Sequence, residues 1–387
     1  MQKVTRRGFL GLCGVLGAGP LIGCGSSGEA DLSGTRVAIL GAGAAGLSAG
    51  HLLAQRGADF EIFEAAPTYG GRMKSLSGFV NFPIPLGAEW LHEPEDELSR
   101  IVGDPSVAVT TRLQPYASSD PTDFYDGELT RENLGALSDL KFVGATWLDF
   151  FETYIVPSVA SQIRLNTAIA RVDYSGPQAV LTDTAGATYE ADRVIVTVPL
   201  QVLRDGDLEF LPELPRDKRD AIADARIWGG LKVFLEFREA FYPTFLSFDG
   251  RDGADGQHVY YDASYGQESS SNVLGLFTVG VESERYRLAS SDAVRDLILA
   301  ELDEVYDGAA TRAYLAHVVQ DWNAEPFIGQ AYLADSAALS TPRRLFAPVD
   351  DRLYFAGEAY TNHDDWGAVD DAARAARAVV ERLTPAR

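Results

Sequence analysis

Residues 36–73, RVAILGAGAAGLSAGHLLAQRGADFEIFEAAPTYGGRM, constrain the fold more than any other stretch. Residues 37–40 form a short apolar run, which reads as a buried parallel strand. Gly41, Gly43 and Gly46 follow at G-x-G-x-x-G spacing. Residues 44–56 then read as a helix, with Gly57 where a C-terminal cap glycine belongs. Residues 60–63 form a second apolar strand ending in Glu64. This strand–helix–strand order is a dinucleotide cradle. Gly41 permits the tight turn. Gly43, followed by Ala44 and Ala45, lets the backbone approach a pyrophosphate at the helix N-terminus. Gly46 allows close helix–strand packing, and Glu64 can accept hydrogen bonds from a ribose. The glycines alone do not say which dinucleotide is bound.

The start of the chain reads as an address. Thr5-Arg6-Arg7-Gly8-Phe9-Leu10 is a twin-arginine pattern, followed by an uncharged, glycine-rich stretch. Leu21-Ile22-Gly23-Cys24 resembles the lipobox of bacterial lipoproteins, in which the cysteine is lipidated and becomes the first mature residue. The expectation is a signal at 1–24, a small polar tether at 25–34, twin-arginine export and a periplasmic or extracytoplasmic protein. Its membrane contact would be only a lipid anchor on Cys24.

About 360 residues follow Cys24, more than one core usually serves, so two domains are expected. Cys13 and Cys24 are the only cysteines, which excludes a cysteine nucleophile, a disulfide and a cysteine-linked flavin in the mature chain. The net charge of -23 argues against nucleic acid. The same charge would favour cationic substrates if it gathers at an entrance, or would serve only as a solvated acidic surface. The oligomeric state is not legible.

Glu64-Ala65 followed by Gly70-Gly71-Arg72 is similar to the extended fingerprint of the flavin-containing amine oxidase superfamily. Gly87-Ala88-Glu89-Trp90-Leu91-His92 resembles that family's G-A-x-W-I-H segment, which passes along the isoalloxazine. Lys232 within Lys232-Val233-Phe234-Leu235-Glu236-Phe237 resembles the family's K-V-F-L-E-F strand. Trp322 with Glu325-Pro326-Phe327, and Phe355-Ala356-Gly357-Glu358, match two further family motifs in order.

The resemblance selects FAD over NAD, held non-covalently. It implies an α/β fold: a doubly wound, Rossmann-like FAD-binding domain (35–92, 161–205 and 326–387) interleaved with an α+β substrate domain of amine oxidase type (93–160 and 206–325). It places Gly71, Arg72, Gly87, Ala88, Glu89, Trp90, Trp322, Gly357 and Glu358 against the cofactor, and Val172 against the adenine through backbone groups. It puts Ala368 at a helix N-terminus facing the flavin, where free N–H groups and the helix dipole would stabilise negative charge.

The implied catalytic set is Lys232, holding a water against flavin N5, and His92, a neutral imidazole facing the substrate amine. Tyr360 or Trp366 would form an aromatic wall of a substrate cage. The implied reaction oxidises the C–N bond of an amine. Hydride passes to N5, water hydrolyses the imine, and oxygen or another acceptor takes the electrons, with peroxide released to oxygen. Residues 241–272 are rich in turn residues and read as loops over a sheet edge. Two departures stand out: a short loop at 359–366, and a trimmed segment at 93–160 that reads as helical patches. They keep open a weakly catalytic tethered flavin protein; an FAD-dependent desaturase of a lipophilic substrate, suited to a membrane tether, is a second alternative, against which Lys232 and His92 argue.

Overall fold

A computed structural model of the chain describes residue 32 and residues 34–383. The signal and lipid-anchor readings, Cys24 included, lie outside the described residues. Five parallel strands form the first sheet, in the order Ile163–Arg164, Asp59–Phe63, Arg36–Leu40, Arg193–Val196, Leu353–Phe355. Both faces are covered, which explains the unbroken apolar runs. Val37 and Ile39 point into one buried cluster, and Ala38 and Leu40 into another.

The first cluster is built by the Ala44–Gln55 and Val369–Leu383 helices. They meet the sheet and each other through small residues, among them Ala45, Ala49, Ala372 and Ala376. The second lies under a four-stranded sheet that contains Ile169–Asp173 and Ala179–Asp183. Gly57, with φ at +66°, closes the first helix as expected, its N–H donating to the Ala54 carbonyl at 3.0 Å.

The second large sheet has seven strands, with Gly230–Phe237 between Tyr314–Asp321 and Asn272–Gly280. Along Gly230–Phe237 the side chains alternate. Leu231, Val233, Leu235 and Phe237 pack against the Ser291–Val305 helix on the back. Lys232 and Phe234 therefore face forward.

Two stretches differ from the sequence reading. Residues 113–142 are largely strands, including Pro121–Tyr125 and Leu129–Asn133. The second of these is exposed throughout, so no buried face printed a two-residue period on it. Residues 241–272, read as loops over a sheet edge, instead supply the strands Phe245–Gly253 and Gly256–Asp262, which are interior to the sheet. Gly253 and Gly256 pair with each other beside the hairpin turn, and Gly250, with φ at +70°, lies in an irregular stretch of the first strand. Among the described residues no helix is long and apolar enough to cross a membrane.

Candidate active site

A cavity of about 2400 Å³ opens between the two large sheets, at the C-terminal ends of the parallel strands. A single drug-sized ligand fills roughly 300–1,000 Å³, so there is room for a dinucleotide and a substrate together. Gly41, Gly43, Ala44 and Ala45 line its floor. Gly41 has φ at +105°, a conformation that favours glycine. A Cβ on Gly46 would lie 1.9 Å from the Gly41 carbonyl oxygen, so Gly46 serves packing and does not reach the cavity. A Cβ on Gly43 would meet no protein atom within 4 Å and would occupy the cradle itself. Glu64 lines the same end and accepts the N–H groups of Ala42 at 2.7 Å and Ala66 at 2.8 Å, joining the two loops that carry the cradle.

Ala65, Gly71, Arg72, Gly87, Ala88, Gly357, Glu358 and Ala368 continue the wall. Arg72 donates to Glu358 at 2.8 Å, and the Leu333 N–H donates to the same carboxylate at 3.2 Å. Gly87 is required where it stands: a Cβ there would meet the Arg72 carbonyl oxygen at 1.9 Å and the Trp322 ring at 2.7 Å. Trp322 lines the cavity and is fixed by its indole N–H to the Leu86 carbonyl at 3.1 Å.

Lys232 is buried at the cavity wall, with Nζ 2.7 Å from Glu89 Oε2. Its ammonium lies 4.8 Å from the Trp90 ring centroid and 5.4 Å from that of Tyr261. Lys141 Nζ lies 3.1 Å from the other Glu89 oxygen, and the Tyr261 hydroxyl donates to Oε2. Burial pushes Lys232 down from the usual lysine range, against the Glu89 charge. Burial alone would raise Glu89, but the two ammonium groups hold it below the usual carboxylate range.

His92 stands deep in the molecule yet faces the cavity, so 40% of its side chain stays accessible. Its Nδ1 lies 3.0 Å from Asp139. Burial would lower it, but the hydrogen bond and charge of Asp139, then Asp370 and Asp371, push it up to about 9. The neutral imidazole expected at this position is therefore a cation at neutral pH.

The helix terminus also departs from expectation. The Ala368 N–H is already donated to Asp371 Oδ2 at 3.1 Å, and two buried aspartates occupy the first helical turn. Arg374 bridges both, at 3.1 Å and 2.6 Å, and reaches Glu93 at 2.7 Å.

Residues 152–384 match the model of the flavin containing amine oxidoreductase family, and residues 39–104 match a NAD(P)-binding Rossmann-like domain. This chain belongs to the flavin containing amine oxidoreductase family. Polyamine oxidase 4 of Oryza sativa subsp. japonica is 29% identical over 54% of the chain and 42% of its own length. Polyamine oxidase 3 of the same plant is 23% identical over 83% of each. The chain thus spans under half the length of the former and most of the latter. A solved putrescine oxidase triple mutant superposes with a TM-score of 0.74 at 16% identity, covering 90% of this chain and 98% of its own, and shares the fold.

Family membership makes FAD the dinucleotide of the cradle, and the residues fit it: an open Gly43, a glycine-only Gly87, and a cavity large enough for cofactor and substrate. Two placements are corrected. Val172, in the Ile169–Asp173 strand of the four-stranded sheet, is fully buried and does not line the cavity, whose wall there is Ala168 and Ile169. Tyr360 is no cage wall. It is buried in the core, donates its hydroxyl to the Val198 carbonyl at 2.8 Å and packs near Phe355. Trp366 does line the cavity, anchored to the Ala334 carbonyl at 3.2 Å.

Sequence reasoning missed Lys141, Tyr261, Asp139 and Asp335. Lys141 carried a signal, a charge inside the apolar run Leu140-Lys141-Phe142-Val143. Its strand register sets it opposite Trp90, next to Glu89.

Proposed function

We propose that the chain oxidises the C–N bond of an amine. FAD, held by the Gly41–Gly43 turn, Glu64 and the Arg72–Glu358 pair, supplies the two-electron acceptor. The observation that carries this reading is the buried Lys232–Glu89 pair in the wall of the cavity that holds the dinucleotide cradle. A lysine is buried at such a place only with a partner, and a lipophilic desaturase has no use for the charge.

The residues divide the work. Trp90, Trp322 and Trp366 bound the space in which an amine is oriented. His92 carries a proton below about pH 9, so it donates and does not take a proton from the substrate. Glu93, Asp139, Asp335, Asp370 and Asp371 outnumber the cations His92 and Arg374 at that end of the cavity, although burial pushes Asp370 and Asp371 up, and the excess of acids suits entry of a cationic amine. The neutral amine needed for oxidation is then reached by loss of a proton to solvent or to an acid of this group. Asp335 is pushed up to about 6 by burial and by Asp252.

The test is anaerobic addition of monoamines, diamines and amino acids to purified holoprotein. Bleaching of the flavin absorption by an amine, with peroxide formed on readmission of air, is the expected result. No bleaching by any amine would overturn the reading and favour a flavin-binding protein of little catalysis. We also propose twin-arginine export and lipid anchoring at Cys24, supported by the residue pattern at 5–24. Cys24→Ser should release the protein from the membrane fraction; continued sedimentation with membranes would refute the anchor.

A further inference from the structure

We infer that Glu89 is a positioning residue for Lys232, shared with a second buried lysine, Lys141, so that the three groups set one net positive charge at the cavity wall. This goes beyond the amine oxidation reading, on which its catalytic meaning rests.

Two hydrogen-bond donors and one ion-pair partner converge on one carboxylate, whose Oε1 accepts no hydrogen bond among the described residues. Lys232 and the Tyr261 hydroxyl meet Oε2, and Lys141 meets Oε1 at 3.1 Å. The two lysines are not equivalent. Lys141 Nζ is also held by the carbonyls of Ala263 at 2.8 Å and Asp262 at 3.1 Å. Lys232 has Glu89 as its hydrogen-bond acceptor among the described residues, and otherwise the faces of Trp90, Tyr261 and Phe234. Glu89 therefore fixes where the Lys232 ammonium sits, and Lys141 adds a like charge behind it. Other titratable groups around the cluster are Tyr116, near Glu89, and Asp262, near Lys141.

Opposite shifts follow for the two neighbours. Without the Glu89 carboxylate, Lys232 loses its proton at lower pH. Without Lys141, Glu89 is left to Lys232, which then holds its proton to higher pH.

The chain contains five lysines, Lys3, Lys74, Lys141, Lys218 and Lys232, so biosynthetic ε-13C-lysine labelling gives a spectrum in which Lys232→Met identifies one resonance. The experiment is a pH titration of that resonance in holoprotein without substrate. Alongside it, the pH dependence of oxygen reoxidation is followed after chemical reduction of the flavin; neither readout needs an amine. The expected result is a downward shift of the Lys232 titration by at least about one pH unit in Glu89→Gln. An upward shift is expected in Lys141→Met, with the reoxidation profile moving the same way in each. Should Glu89→Gln fail to fold, Lys141→Met alone decides by its sign. A Lys232 titration that stays in place, or one that moves without the reoxidation profile, overturns the inference. Failure of every amine to bleach the flavin would instead strike the proposed activity and leave these readouts intact.

Discussion

His92 and Asp139 are joined at 3.0 Å across the cavity end, with Asp370 and Asp371 close enough to add their charge. The pair raises the histidine from the ordinary 6.5 to about 9. The sign of its effect on stability follows. Below 6.5 the proton is bound in both folded and unfolded chains, and the ion pair contributes in full. Between 6.5 and about 9 only the folded state keeps the proton, so the contribution declines as pH rises and is gone above about 9.

Asp139→Asn should therefore lower the thermal midpoint most near about pH 6, and the deficit should shrink steadily towards about pH 10. Differential scanning calorimetry across that range checks it. A deficit independent of pH would show that Asp139 matters only as a packed polar group. The histidine is partly accessible inside the cavity, so solvent screening keeps the effect modest.

Two glycines of the cradle should fail in different ways. Gly46→Ala drives a methyl into the Gly41 carbonyl oxygen, and the overpacking should cost about 1–3 kcal/mol of stability in the cofactor-free chain. Gly43→Ala has open space and an ordinary extended backbone, φ -82° and ψ -169°, so the cofactor-free chain should lose no more than about 0.5 kcal/mol. It should nevertheless lose FAD affinity, because the methyl stands where the pyrophosphate must approach. Urea melts of the apoproteins and flavin retention on gel filtration separate the cases. Equal FAD retention in wild type and Gly43→Ala would refute the cradle assignment.

Tyr360 and Trp366 also part company. Tyr360→Phe removes a buried hydroxyl and leaves the Val198 carbonyl without it, which should cost about 1–3 kcal/mol while leaving kcat and KM for an amine unchanged. Trp366→Ala removes a cavity wall and should raise KM several-fold with FAD still bound. Steady-state kinetics beside urea melts decide it. A Tyr360→Phe enzyme with an altered KM would return that residue to the substrate.

What the sequence made legible follows from local physics. The alternation of Val37 and Ile39 against Ala38 and Leu40 between two cores is the signature of a strand buried on both faces, and the glycines announce their turn. Most site residues read from contiguous motifs line one cavity, since each motif carries its own turn or strand; Gly46, which packs on Gly41, and the buried Tyr360 do not. Legibility ended where position depends on distant partners. Val172 and Ile169 share a strand of mixed burial, and only the sheet packing decides which one reaches the cavity. The chain near Glu89 says nothing of Lys141 or Tyr261, which lie on strands far along it. The exposed strand Leu129–Asn133 had no apolar period to read. Ala368 looked like a free helix terminus because the bond to Asp371 depends on side-chain placement, not residue type.

The buried cluster makes a final prediction through its charge. Wild type holds two ammonium groups around one carboxylate. Lys232→Met leaves the Glu89–Lys141 pair with no charge in surplus, and the thioether replaces the ammonium among Trp90, Phe234 and Tyr261. A swap of such similar volume should cost under about 1.5 kcal/mol. Glu89→Gln instead leaves two ammonium groups buried with only a neutral amide between them. Breaking a buried pair from one side costs about 3–5 kcal/mol, because a charge is stranded away from water. The double variant Glu89→Gln/Lys232→Met restores a single buried cation, with Lys141 still held by the Asp262 and Ala263 carbonyls, and should recover part of that loss. Urea denaturation of the four proteins closes a double-mutant cycle. The charge argument is refuted if Lys232→Met proves as damaging as Glu89→Gln, or if the two losses simply add.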